Sequence, residues 1–151
     1  MNSHQREFWM RQALAQAQLA MESGEVPVGA VIVHNGECIA SAHNQTRQLN
    51  DPTAHAEVRV MQKAAQVMGN ARLLDCTLIC TLEPCVMCVG ALVHARIASL
   101  IFAASEPKTG ACGSAFDLLS DPAHGRKISL VKGVMAPESI ALLQQFFSTK
   151  R

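Results

Sequence analysis

The sequence contains no tyrosine, one tryptophan and five phenylalanines in 151 residues, so aromatic side chains amount to 4%. That argues against a sheet face built to stack successive bases on aromatic rings, while leaving room for a pocket that takes a single base. Charge of one sign is also scarce. Thirteen Lys and Arg against twelve Asp and Glu give a formal net charge of +1, which does not announce a broad phosphate-binding face, so any nucleic-acid contact must be local. Met1 to Met21 alternates polar residues with Ala and Leu and has no continuous apolar run. Neither a signal peptide nor a membrane span is expected, and the expected location is the cytoplasm. Internal repeats, low-complexity tracts and long charge blocks are lacking too.

What is present suits a compact fold. Hydrophobic residues make up 49% of the chain, and a length of 151 residues predicts one domain spanning 1–151 with a real core. Of the six cysteines, Cys76 and Cys80 read as core thiols in a reducing compartment. Cys85 and Cys88 read differently because of their spacing and neighbours.

Two short stretches concentrate the chemistry: His55-Ala56-Glu57 and Pro84-Cys85-Val86-Met87-Cys88. With Pro84 opening a helix, cysteines three residues apart emerge on one face and can share an ion. His55 supplies a third ligand. Structural zinc sites usually fill all four positions with protein, whereas catalytic sites use three and leave the fourth to water. Glu57 stands about 200° around a regular helix from His55, a poor chelating position but a good one for a general base. Alone, Cys-x-x-Cys fits a thioredoxin-like redox pair about as well as a metal site, and His-x-Glu alone is weaker still. Their joint occurrence with Pro before the first Cys matches the signature of zinc nucleobase deaminases.

The chemistry explains the residue types. Deaminating an aromatic amidine needs water made nucleophilic near neutral pH, which zinc provides. Two thiolates formally cancel the ion's charge and weaken that effect. Two helix N-termini and a carboxylate that accepts and returns protons can compensate.

Periodicity predicts a helix over Phe8 to Met21, stopping at Glu22-Ser23-Gly24, then a hairpin of Val28–Val33 and Glu37–Ala42 about Asn35-Gly36. Asn44 to Asn50 reads as a polar loop. Asp51 is expected to cap a helix beginning at Pro52 and running to Met68, with His55 and Glu57 in its first turn. A strand over Thr77–Leu82 leads into a helix over Cys85–His94, followed by a strand over Leu100–Ala104. A loop over Glu106–Ser114 then leads into a short helix through Leu119, a strand over Ile128–Val134, and a last helix from Pro137 with apolar Ile140, Leu143, Phe146 and Phe147. A hairpin followed by alternating strands and helices implies an α/β mixed sheet covered on both faces, with the site beyond the carboxyl ends of the strands.

The chain resembles the bacterial tRNA-specific adenosine deaminase family of the cytidine deaminase-like superfamily. The residues that carry the likeness are Glu25 to Val31, Asn44, Asn50 to Glu57, Thr81 to Cys88 and Lys108-Thr109-Gly110. The resemblance implies a three-layer α/β/α fold with a five-stranded sheet. It also implies one Zn²⁺ per chain on His55, Cys85 and Cys88, Glu57 as proton shuttle, and a homodimer acting on a tRNA anticodon stem-loop. The implied reaction converts wobble adenosine to inosine, typically in an arginine tRNA. Asn44 is implied to hydrogen-bond the base, Val28 and Leu82 to wall its pocket, and Glu106, Lys108 and Phe147 to contact RNA. Glu106 stands in a segment where the family usually carries Asp. Phe147 fits base stacking and core packing about equally. The same metal site also serves deaminases of free guanine or cytosine bases and nucleosides. A noncatalytic zinc-stabilised RNA-binding subunit is a further alternative, disfavoured by the presence of Glu57.

Overall fold

The computed structural model describes residues 1–150. Its elements are α1 (Ser3–Glu22), β1 (Gly29–His34), β2 (Glu37–His43), α2 (Ala56–Met68), β3 (Cys76–Leu82), α3 (Val86–His94), β4 (Ser99–Ala104), β5 (Ser129–Val131) and α4 (Ala136–Ser148), with a 3₁₀ turn at Pro122–His124 before β5. The five strands form one mixed sheet in the order β2-β1-β3-β4-β5. β1 is antiparallel to β2 and β3, whereas β3, β4 and β5 run parallel. The expected α/β/α sandwich is therefore present.

Alternation along the central strands divides the core. Ala30, Ile32, Leu78, Cys80, Leu100 and Phe102 face α2 and α3, where Val60, Ala64, Val89 and Leu92 meet them. Val31, Val33, Ile79, Ile101 and Ala103 face the other way, toward Met10 and Ala13 of α1. Each fully buried large aliphatic or aromatic side chain contributes about 1.5–3 kcal/mol. Ala13, Ala17 and Ala20 give α1 a smooth inner face, and a Cβ on Gly29 would strike the backbone of Ala13 and Ala17. Cys76 and Cys80 are buried core thiols as expected.

The hairpin turn at Asn35-Gly36 has positive φ at both residues, 51° and 76°, the conformation that Asn-Gly accommodates best. Several boundaries differ from expectation. α1 begins five residues earlier than Phe8, because Asn2 and Gln5 form a reciprocal capping box. Pro52 does not begin α2: the Asp51 carboxylate accepts the N–H and hydroxyl of Thr53, at 2.8 and 2.7 Å, forming a local turn. His55 is consequently the N-cap. β5 stops at Val131 rather than Val134. No helix leads to Leu119; residues 110–119 form turns held by short bridges between Cys85 and Gly110 and between Cys112 and Asp117. No helix among the described residues is long and apolar enough to cross a membrane.

Candidate active site

The site lies at the carboxyl end of β3, where α2 and α3 begin side by side. Both helices start with an unusual N-cap. This position ordinarily holds Ser, Thr, Asp or Asn, whose side chain takes a free backbone N–H. Here it holds His55 and Cys85, each extended and neither making a side-chain capping bond. Their side chains turn toward each other instead, and Cys88 completes the group from within the first turn of α3.

Cys85 Sγ and Cys88 Sγ are 3.8 Å apart, and His55 Nδ1 lies 3.6 Å from the first and 3.5 Å from the second. A tetrahedral ion with zinc-like bond lengths requires about 3.8 Å between two sulfurs and about 3.6 Å between sulfur and nitrogen. The three donors therefore fit such a metal without rearrangement. They are the one group of three or more His, Cys, Asp or Glu ligands so disposed among the described residues. Without metal, hydrogen bonding with Cys88 and then with His55 lowers the Cys85 thiol to about 3, while Cys88 is raised mainly by its bond to Cys85. Hydrogen bonding to Cys85 raises His55. A metal that takes both sulfurs as thiolates must displace the second proton.

Glu57, the second residue of α2, is 4% exposed, and its Oε1 is a buried polar atom with no hydrogen-bond partner among the described residues. Burial raises its pKa, with a bond to Cys88 opposing the shift. The residue lines a cavity of about 230 Å³ with His55 and Cys85 on its floor, Val26, Val28 and Leu82 as apolar walls, and Asn44, Thr46 and Thr109 as polar ones. That is below the roughly 300–1,000 Å³ of pockets for drug-sized ligands, and so suits one small ring system. The predicted pocket residues His55, Glu57, Cys85, Asn44, Val28 and Leu82 thus come together. A larger recess of about 530 Å³ at the opposite end of the sheet, beside Phe8 and Trp9, holds no such ligand group.

Glu106, Lys108 and Phe147 stand outside this cavity. Leu82 is shared between the cavity and a neighbouring groove of about 400 Å³ lined by Glu106, Ile140, Leu143 and Phe147. Phe146 is the buried member of the terminal pair and Phe147 is 49% exposed, which removes the core-packing alternative for Phe147. The Ser139 hydroxyl donates to Thr81 O at 2.6 Å and fastens α4 beside β3. Lys108 is exposed and donates its backbone N–H to Glu106 Oε1 at 3.0 Å.

Two further carboxylates stand in runs that carry the family likeness but were given no role by sequence reasoning. Glu83, 3% exposed, accepts the N–H of Glu106, Cys112 and Ser114 at 3.0, 2.9 and 3.2 Å, and the Ser114 hydroxyl. Burial would raise its pKa, but these hydrogen bonds outweigh burial and leave it lowered. Glu25 similarly holds the Arg47 and Gln48 amides. An acidic residue at the edge of an apolar run was the available signal in both cases, but their partners lie more than twenty residues away.

A mixed sheet with a His, Cys, Cys donor group and a buried carboxylate at two helix starts defines a deaminase-type domain. The model of the MafB19-like deaminase family matches residues 2–151. A tRNA-specific adenosine deaminase of Bacillus subtilis is 42% identical over 97% of this chain and 91% of its own length. The chain belongs to the tRNA-specific adenosine deaminase family. A solved structure from work on A-to-I editing by tRNA:A34 deaminases at the wobble position of transfer RNA superposes with a TM-score of 0.87 at 42% identity, covering 90% of this chain and 99% of that one. A guanine deaminase from Bacillus subtilis superposes with a TM-score of 0.66 at 37% identity, covering 85% and 83%.

Proposed function

We propose that this chain deaminates adenosine to inosine at the wobble position of a tRNA anticodon, with an arginine tRNA as the preferred substrate and one Zn²⁺ on His55, Cys85 and Cys88. The observation that carries the proposal is the Oε1 of Glu57, without a partner among the described residues, beside a three-donor group in a cavity sized for one base. Zinc bound there supplies the Lewis acidity that makes water nucleophilic near neutral pH. Every other step belongs to the protein.

Val28 and Leu82 sandwich the flipped adenine, and Asn44 hydrogen-bonds its edge. Water adds to C6 and gives its proton to the Glu57 carboxylate, which passes it to the ring nitrogen N1. Glu57 then moves the remaining hydroxyl proton to the exocyclic amine. The C6–N bond breaks, ammonia leaves, and the C6 oxygen remains as the carbonyl of inosine. The free acceptor on Glu57 is what this shuttle needs. Lys108 and Glu106 on one side and Phe147 on α4 meet the nucleotides flanking the base, Phe147 by stacking. The enzyme works in the cytoplasm as a homodimer of single-domain subunits.

Likeness to a guanine deaminase favours one rival, deamination of a free purine. The deciding experiment offers zinc-loaded protein an arginine anticodon stem-loop together with guanine and free adenosine. Inosine at the wobble position with the free compounds untouched is the expected result. Ammonia from a free compound while the stem-loop stays unchanged contradicts the tRNA assignment.

A further inference from the structure

Glu25 lies between α1 and β1, 1% exposed. Its carboxylate reaches across to a distant loop: Oε1 accepts the N–H of Arg47 at 3.1 Å and Oε2 that of Gln48 at 2.7 Å. A buried charge is tolerated only when hydrogen-bonded or paired, and here both oxygens are taken by consecutive backbone amides. The loop has its own closure, with Gln45 N–H donating to Ala54 O at 2.9 Å and Asp51 N–H to Thr46 O at 3.0 Å. It starts at Asn44, whose N–H donates to Val28 O at 3.0 Å, and runs into the ligand His55. Asn44 and Thr46 both line the cavity.

We propose that Glu25 is a positioning residue for base recognition: its carboxylate fixes the loop after Asn44 so that the cavity wall formed by Asn44 and Thr46 stands ready before the base enters. This rests on Asn44 as the residue that reads the base. The chemistry of the role is specific. A glutamine offers one acceptor and turns an N–H₂ group toward the second amide, and an aspartate keeps the charge but falls one methylene short. Both lose the clamp, whereas a role for negative charge alone survives in the aspartate.

The test uses zinc-loaded full-length protein and the anticodon stem-loop, comparing wild type, Glu25→Gln, Glu25→Asp, Asn44→Ala and the Glu25→Gln/Asn44→Ala double variant. Both Glu25 variants are expected to lose hydrogen-exchange protection at the Arg47 and Gln48 amides while β3 keeps its own. KM should rise about tenfold in each, the loss expected for one unmet buried hydrogen bond, with kcat within about threefold and zinc content unchanged. On the Asn44→Ala background, Glu25→Gln should raise KM by less than about twofold, because both changes act through one wall. Unaltered exchange, a wild-type KM in Glu25→Asp, or full additivity overturns the proposal. A wild-type KM in Asn44→Ala overturns the base-reading role of Asn44 and this proposal with it, whereas an impaired Asn44→Ala beside an unimpaired Glu25→Gln overturns the Glu25 role alone.

Discussion

Glu57 and Glu83 line the same cavity and are buried almost equally, at 4% and 3% exposure, yet their oxygens are used in opposite ways. Glu83 accepts from four donors, three backbone N–H groups and one hydroxyl. Glu57 keeps an oxygen with no partner among the described residues. A buried acceptor left unmatched costs about 1–3 kcal/mol, so a folded protein retains one where something other than stability requires it. The floor of the cavity thus keeps an acceptor free among the described residues, while its rim is held in place by hydrogen bonds. Burial alone does not separate the two carboxylates, whereas their hydrogen bonds do.

The largest effect should come from the floor. Cys88→Ala removes a donor that lies 3.8 and 3.5 Å from the other two, and metal content measured by atomic absorption should fall from one ion per chain to near zero. Full occupancy would remove Cys88 from the ligand group. Next comes the groove beyond the rim. Phe147→Ala deletes a half-exposed ring that meets the buried Phe146 edge-on, 5.3 Å between centroids, and stacking by one aromatic is worth about 1–3 kcal/mol per base. KM for the stem-loop should therefore rise about 5- to 150-fold, with stability falling only by the roughly 0.5–1.5 kcal/mol of the lost aromatic pair; an unaltered KM removes Phe147 from the RNA contact.

A smaller effect is expected at Gly110, where an added Cβ would collide with the Glu83 carboxylate. Gly110→Ala should destabilise the protein by about 1–3 kcal/mol in denaturant unfolding, the usual penalty of overpacking, and a neutral result would mean that the Glu83 clamp yields easily. The smallest effect concerns pH. The Glu83 pKa is lowered from an ordinary 4.5, so its stabilisation is fully present above that value and is lost as pH falls through the folded-state pKa. Wild type should lose this part of its stability below about pH 4.5, and Glu83→Gln should lack that component. Equal acid sensitivity of the two would place the acid lability elsewhere.

The same division explains what the sequence revealed. His55, Glu57, Cys85 and Cys88 were legible because metal-binding types, three-residue spacing and helix starts are local signals, and the sheet was legible from alternation about Asn35-Gly36. The start of α2 was misplaced because Pro52 fits a first turn equally well, and only the Asp51 bonds to Thr53 leave the N-cap to His55. The expected helix through Leu119 failed for a long-range reason. Glu83 takes the Cys112 and Ser114 amides, and Gly110 O accepts from Ala115 and Phe116, which folds the segment into turns that no local periodicity encodes. The role of Glu25 was hidden likewise, its partners being 22 and 23 residues away. Phe146 and Phe147, adjacent in one apolar stripe, could be separated into core and groove only once α4 was seated on β3 by Ser139.

The most direct measurement compares Glu57→Gln with Glu83→Gln in zinc-loaded protein, recording the single-turnover rate on the stem-loop and the melting temperature of each. Glu57→Gln should lose at least about 10²–10⁴ in rate with zinc retained and melting no lower than wild type, while Glu83→Gln melts earlier and keeps a bound-substrate rate within about tenfold of wild type. A Glu57→Gln variant that turns over normally, or a Glu83→Gln variant with the same rate loss and no loss of stability, would contradict the separation of a chemical floor from a positioning rim.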